Sequence, residues 1–171
     1  MQPETRPHSP RVSTRRGILL GGGALVVAGS GVFASKWFNI FASAAGTGAL
    51  TVENARAQAE AGEIYLIDIR RPDEWAKTGI AQSAIPIDMR RDDFEDVLRA
   101  LFAKTGEKPV ALICARGVRS DRMNERLEAA GFGGILDVPE GMLGSGAGPG
   151  YLERGLPVRA PTQAELDGSI G

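Results

Sequence analysis

From Val52 onward the chain alternates short uninterrupted apolar runs with longer stretches whose apolar positions recur three and four residues apart. That alternation predicts strands and helices in turn, an α/β domain with a small, mostly parallel sheet and helices on both faces. Val52 to Ala61 reads as a helix, rich in Ala, Glu and Gln, with Gly62 as its C-cap. Ile64-Tyr65-Leu66-Ile67-Asp68-Ile69 reads as a central strand, because a strand covered on both faces needs no polar alternation. Arg71 to Trp75 turns into a short helix, with Pro72 tolerated at its first position. Ala84 to Ile87 is a brief strand near a sheet edge, since Pro86 has no amide to give a neighbour. Asp92 or Asp93 caps the next helix, which carries Phe94, Val97, Leu98, Leu101 and Phe102 on one face and reaches about Lys104. Pro109 to Cys114 is a second buried strand, Arg119 to Ala130 a helix closed by Gly131, and Ile135 to Val138 the last strand. The glycine-rich stretch that follows, through Gly150, reads as a shaped surface loop. The tail after Pro161 reads as frayed.

The first 44 residues break this pattern. Arg15-Arg16 stands directly before Gly17 to Ser35, 19 residues without a charge. The arrangement resembles a twin-arginine export signal, and Ala42-Ser43-Ala44 predicts cleavage before Ala45. The alternative is an uncleaved membrane anchor: such a run is just long enough to span a bilayer, and Trp37 and Phe38 suit the interface. Either way the folded part is expected outside the cytoplasm, in the periplasm. The expected organisation is a signal over 1–44, a linker over 45–49, one domain over 50–160 and a tail over 161–171.

Charge narrows the partners. The leader holds five basic side chains against Glu4 alone, which leaves 15 of the 20 basic and 20 of the 21 acidic side chains, about −5, for the remainder. A nucleic-acid partner requires a basic face, so none is expected. The single cysteine excludes an intrachain disulfide, a CxxC redox pair and a multi-cysteine zinc site. The only histidine, His8, lies in the leader, so the domain has no imidazole for general-base or metal chemistry. No metal and no cofactor are implied, and a monomer is expected.

Cys114 ends an apolar strand and Arg119 opens a helix, which places the residues between them at the C-terminal edge of the sheet, where ligands of α/β folds bind. Successive amides of such a turn can form an anion nest, and the helix N-terminus adds partial positive charge. A thiol in that setting is favoured as thiolate, the reactive nucleophile. Gly117 lets the chain curl, and Arg116 and Arg119 supply fixed charge for a dianion such as thiosulfate. A lone cysteine ending an apolar strand is more often a small buried hydrophobe; the surrounding motif decides otherwise.

Cys114-Ala115-Arg116-Gly117-Val118-Arg119-Ser120 resembles the active loop of the rhodanese family. Leu66 to Trp75 resembles its upstream Asp-x-Arg segment, and Glu140-Gly141-Met142 with Gly155-Leu156-Pro157-Val158 its closing turn and Gly-Leu-Pro end. The likeness covers roughly residues 50–160. It implies a rhodanese-like fold and a sulfurtransferase in which Cys114 takes sulfur from thiosulfate or another sulfane donor as a persulfide. The sulfur then passes to cyanide or a thiol acceptor, a protein thiol included. The amides of Ala115, Arg116, Gly117, Val118 and Arg119 would cradle the persulfide, with Arg116 and Arg70 on the substrate side. Asp68, Glu74, Arg119 and Ser120 would form a supporting network. The chain departs from the family at Thr78 to Ala84, which lacks a histidine and carries one extra residue, and at the insertion Leu143 to Gly150. Two alternatives stand beside the enzyme: a non-catalytic or sulfur-carrier module, and a phosphatase or arsenate reductase of the same fold. Such phosphatases place the arginine six positions after the cysteine; here Ser120 holds that position and Arg119 falls one earlier.

Overall fold

The computed structural model describes residues 48–105 and 108–168. The twin-arginine signal, its cleavage site and residues 45–47 of the expected linker lie outside the described residues. In chain order the elements are α1 (Val52–Glu60), β1 (Tyr65–Asp68), α2 (Pro72–Thr78), β2 (Ile80–Ala81), β3 (Ala84–Pro86), α3 (Phe94–Thr105), β4 (Val110–Ile113), α4 (Val118–Ala129), β5 (Ile135–Asp137), α5 (Gly150–Glu153), β6 (Val158–Arg159) and α6 (Gln163–Leu166).

β4 is apolar throughout, and β1 is uncharged up to its last residue, Asp68, because the two occupy the centre of a four-stranded parallel sheet in the order β3-β1-β4-β5. β3 takes the edge, as Pro86 requires. Side chains alternate across a strand, so each central strand feeds two cores. Leu66, Ala111 and Ile113 pack with Val52 and Ala55 of α1, Trp75 of α2 and Tyr151 of α5. Ile67, Ile69, Leu112 and Cys114 pack on the other face with Phe94 and Leu98 of α3 and Met123 and Leu127 of α4. The result is a parallel sheet with helices packed on both faces, the architecture the sequence pattern predicts. Among the described residues no helix is long and apolar enough to cross a membrane.

Three segments differ from the pattern reading. Gly48 and Ala49, expected in a linker, run beside β5: the Asp137 amide donates to the Gly48 carbonyl (2.9 Å), and the Leu50 amide to the Asp137 carbonyl (2.8 Å). Ile80 and Ala81 pair antiparallel with Arg159 and Val158 to make a separate ribbon, and both are fully buried. Within the tail expected to fray, Gln163–Leu166 form the one-turn helix α6. The Thr162 hydroxyl accepts from the Glu165 amide (3.2 Å), and the Arg159 guanidinium holds the Glu165 carboxylate at 2.7 and 2.9 Å.

Candidate active site

β4 ends at Ile113, and Cys114 follows on the α3/α4 face with its side chain buried. The chain then turns through Ala115 and Arg116 to Gly117, the N-cap of α4, whose φ of +79° is the left-handed conformation that disfavours any side chain. The first-turn amides of α4 have no intrahelical carbonyl to bond and follow the thiol around this turn. Ser120, fully buried one turn into α4, places its hydroxyl 3.6 Å from Cys114 Sγ and 3.1 Å from the Gly117 carbonyl.

The segment after β5 clamps the turn from behind. The Met142 amide donates to the Cys114 carbonyl and the Leu143 amide to the Ala115 carbonyl, each at 2.8 Å. Gly141 is what permits this approach: a Cβ there would lie 2.7 Å from the carbonyl group of Ala115 and from the amide nitrogen of Arg116, and its φ is +67°. The insertion is anchored by the fully buried Glu140, whose carboxylate accepts from the Gly150 amide (3.3 Å), the Val52 amide (3.3 Å) and Arg154 Nη2 (2.8 Å). Arg116 Nη1 reaches the Gly144 carbonyl at 3.2 Å, so the insertion holds the half-buried Arg116 beside the thiol turn.

The expected charge network separates into two pairs. Arg119 grips Glu74 with two bonds of 2.7 Å, tying the first turn of α4 to the first turn of α2. Burial pushes the Glu74 carboxyl up. The Arg119 guanidinium, the Arg71 amide and the charges of Arg119 and Arg71 outweigh it and hold Glu74 below its ordinary value. Arg119 itself is raised by its bond to Glu74, against its own burial, and further by the charges of Cys114 and Glu74. Asp68 stands apart, buried and paired with Arg70. That pairing corrects the expectation that Arg70 faces substrate: its Nε and Nη2 bond Asp68 at 2.9 and 2.7 Å, Nη1 bonds Thr78 Oγ1 at 2.8 Å, and Nη2 also reaches the Gly79 carbonyl at 2.7 Å. Only 1 % of Arg70 is exposed, so it holds β1 to the end of α2 and presents nothing to a ligand. Thr78, within the segment that departs from the family, is its partner.

One residue the sequence reading passed over faces the same site. Asp137 ends β5, and one of its carboxylate oxygens is buried without a hydrogen-bond partner. Burial pushes this carboxyl up to about 6; the Ser120 hydroxyl lowers it in part, Asp121 raises it and the Val138 amide lowers it. The available signal was a carboxylate inside the apolar run Ile135 to Val138.

Elsewhere, a hollow of about 660 Å³ lined by Arg99, Phe102 and Gly131 to Gly134 lies at the opposite edge of the sheet and carries no nucleophile. Among the described residues no cluster of three or more His, Cys, Asp or Glu is arranged to hold a metal ion.

Residues 51–144 match the Rhodanese family, a rhodanese-like domain. Comparison with curated proteins finds no match. Among solved structures, the chain is similar to the polysulfide-sulfur transferase homodimer of Wolinella succinogenes, with 27 % identity and a TM-score of 0.51 over 84 % of this chain and 95 % of that one. A protein of unknown function from Rhodopseudomonas palustris, named as a possible tyrosine phosphatase, is 20 % identical with a TM-score of 0.48, over 89 % of this chain and 100 % of that one. A human single-domain sulfurtransferase is 22 % identical with a TM-score of 0.46, over 64 % of this chain and 98 % of that one.

Proposed function

This chain belongs to the rhodanese-like domain family, and on that premise we propose that it is a sulfurtransferase with Cys114 as nucleophile. The observation that carries the reading is the Cys114 turn itself: a thiol beside the Ser120 hydroxyl, at the N-terminus of α4, with Arg119 fixed by Glu74 and Arg116 held at its flank. The Cys114 thiolate attacks the outer sulfur of a sulfane donor. With thiosulfate, the sulfur–sulfur bond breaks, sulfite leaves with the electron pair, and Cys114 is left as a persulfide. A thiol or cyanide acceptor then attacks the outer sulfur and Cys114 departs as thiolate. The amides of Ala115 to Arg119 and the dipole of α4 stabilise the anionic persulfide. Arg116 draws in the donor's charge.

The Wolinella neighbour, a polysulfide-sulfur transferase, adds polysulfide to thiosulfate as a donor to be tried. Arg119 lies five positions after Cys114, a shorter loop than a phosphoryl group needs, which favours sulfur over phosphate chemistry. The first 44 residues act as a twin-arginine signal delivering the folded domain to the periplasm, with cleavage before Ala45. The mass of the protein from the periplasmic fraction tests this, and retention of the intact leader in the membrane fraction would favour the anchor.

The function is tested by following thiocyanate formation from thiosulfate and cyanide. The chain should turn over and Cys114→Ser should not. Hydrolysis of an aryl phosphate at rates far above thiocyanate formation would overturn the reading.

A further inference from the structure

From Gly144 to Gly150 every second residue is glycine, and only Ser145 carries a polar side chain. Glycine loses more freedom on ordering than any other residue, so a loop of this composition needs bonds to hold one shape. The Ser145 hydroxyl supplies two: it donates to the Pro139 carbonyl (2.7 Å) and accepts from the Ala147 amide (3.1 Å). Around it the loop closes on itself. The Ser145 amide donates to the Gly148 carbonyl (2.9 Å), and the Gly148 amide to the Ser145 carbonyl (3.3 Å). The two ends of the loop touch, since a Cβ on Gly150 would run into the Gly144 backbone.

This closure reaches the thiol turn through one carbonyl. Gly144 directly precedes Ser145, and its carbonyl accepts from Arg116 Nη1 at 3.2 Å. Arg116 stands two residues after Cys114. A guanidinium is a rigid planar fork, so a bond to a fixed carbonyl sets the plane of the whole group. On a loose loop the same carbonyl would move, and the long arginine side chain would recover its rotamer freedom.

We propose that Ser145 is a positioning residue for the sulfur chemistry: it keeps the insertion closed so that the Gly144 carbonyl holds Arg116 in place, and the site thereby favours negatively charged donors over neutral ones. The roots of the insertion do not depend on Ser145. The Leu143 amide bonds the Ala115 carbonyl, and the Gly150 amide bonds the Glu140 carboxylate. Losing the hydroxyl therefore loosens the loop while the thiol turn keeps its clamp. Ser145 is half-buried and belongs to neither core, so Ser145→Ala keeps the fold.

The proposal deepens the sulfur-transfer reading and rests on Cys114 being its nucleophile. Its test needs no sulfur donor, so the two can fail separately. Because the chain has one cysteine, alkylation reports Cys114 alone. Iodoacetate carries a carboxylate and iodoacetamide is its neutral counterpart of similar size, so the ratio of their rates cancels the reactivity of the thiol and reads the charge it faces. In the full chain at low ionic strength, Arg116→Ala should lower this ratio about three- to tenfold, the effect of one nearby surface charge removed. Ser145→Ala should lower it about two- to fivefold, since the charge is displaced rather than deleted. The double variant should match Arg116→Ala alone, because both changes act through one group. A Ser145→Ala ratio equal to the parent's overturns the proposal, and so does a further drop when Ser145→Ala is added to Arg116→Ala.

Discussion

Glu74 and Arg119 lie 45 residues apart in sequence, yet two hydrogen bonds of 2.7 Å join them side by side in a planar, paired contact. A carboxylate and a guanidinium match each other in this geometry, so the contact fixes direction as well as distance. It locks the first turn of α4, and with it the thiol turn, against the first turn of α2.

Glu74→Gln keeps the shape but removes the charge and one acceptor. Arg119 then loses its anchor while the thiol turn keeps its backbone bonds to Met142 and Leu143. Persulfide formation should slow by about tenfold, with a loss of about 1–2 kcal/mol in stability, as for a half-buried charge-assisted bond. Single-turnover sulfite release and urea unfolding measure the two effects separately.

Arg70 and Arg116 should behave oppositely. Removing Arg70 leaves the fully buried Asp68 charge without its partner, so Arg70→Met should cost about 3–5 kcal/mol of stability. Arg116→Ala removes a half-buried guanidinium that bonds the Gly144 carbonyl. It should raise the KM for thiosulfate by about tenfold, the loss of one charge-assisted contact of roughly 1.5 kcal/mol, and shift the melting temperature little. Steady-state kinetics and thermal melts on both variants distinguish the roles; a KM effect with unchanged stability in Arg70→Met would contradict them.

Gly141→Ala places a methyl group against the Ala115 carbonyl and imposes a side chain on a φ of +67°. Neither strain can be relieved by turning a side chain, because the opposing atoms are backbone. A destabilisation of about 2–4 kcal/mol is expected, together with loss of sulfur transfer, since the displaced backbone belongs to the thiol turn. Denaturant unfolding and the thiocyanate assay should change together.

Two carboxyls give the protein opposing pH slopes. Glu74 is held below its ordinary value of 4.5, so it binds fewer protons folded than unfolded. Its contribution is present above 4.5 and is lost as pH falls further. Asp137 is raised from 3.8 to about 6, so the folded state favours its neutral form. Its contribution is present below 3.8 and is lost as pH climbs through about 6. Asp137→Asn should therefore stabilise the protein at pH 7 relative to pH 4, by about 1–2 kcal/mol once partial solvent contact is allowed for. Urea midpoints of parent and variant at the two pH values test the sign.

The central strands and helices were legible because their patterns are local: Pro86 announces an edge, and the runs at β1 and β4 announce burial on both faces. The Cys114 turn was legible because strand, glycine and helix start lie within a few residues. Long-range geometry was not. β2 and β6 are two residues each and pair across most of the domain, so neither carries a periodicity of its own. Arg70 and Arg116 are both expected on the substrate side from sequence, and only burial and bonding show that Arg70 is spent on Asp68 and Thr78 while Arg116 stays in the thiol turn. Asp137 looked like a strand end. Its meaning depends on the β4–β5 register and on which face α4 covers.

The central claim is that Cys114 carries sulfur. The most direct measurement is the intact mass of the full chain after incubation with thiosulfate, followed by peptide mapping. The account predicts a gain of one sulfur atom (~32 Da) located on Cys114, matched by released sulfite and reversed by cyanide. A chain whose Cys114 is readily alkylated yet gains no mass and releases no sulfite, with thiosulfate or with polysulfide, would contradict it.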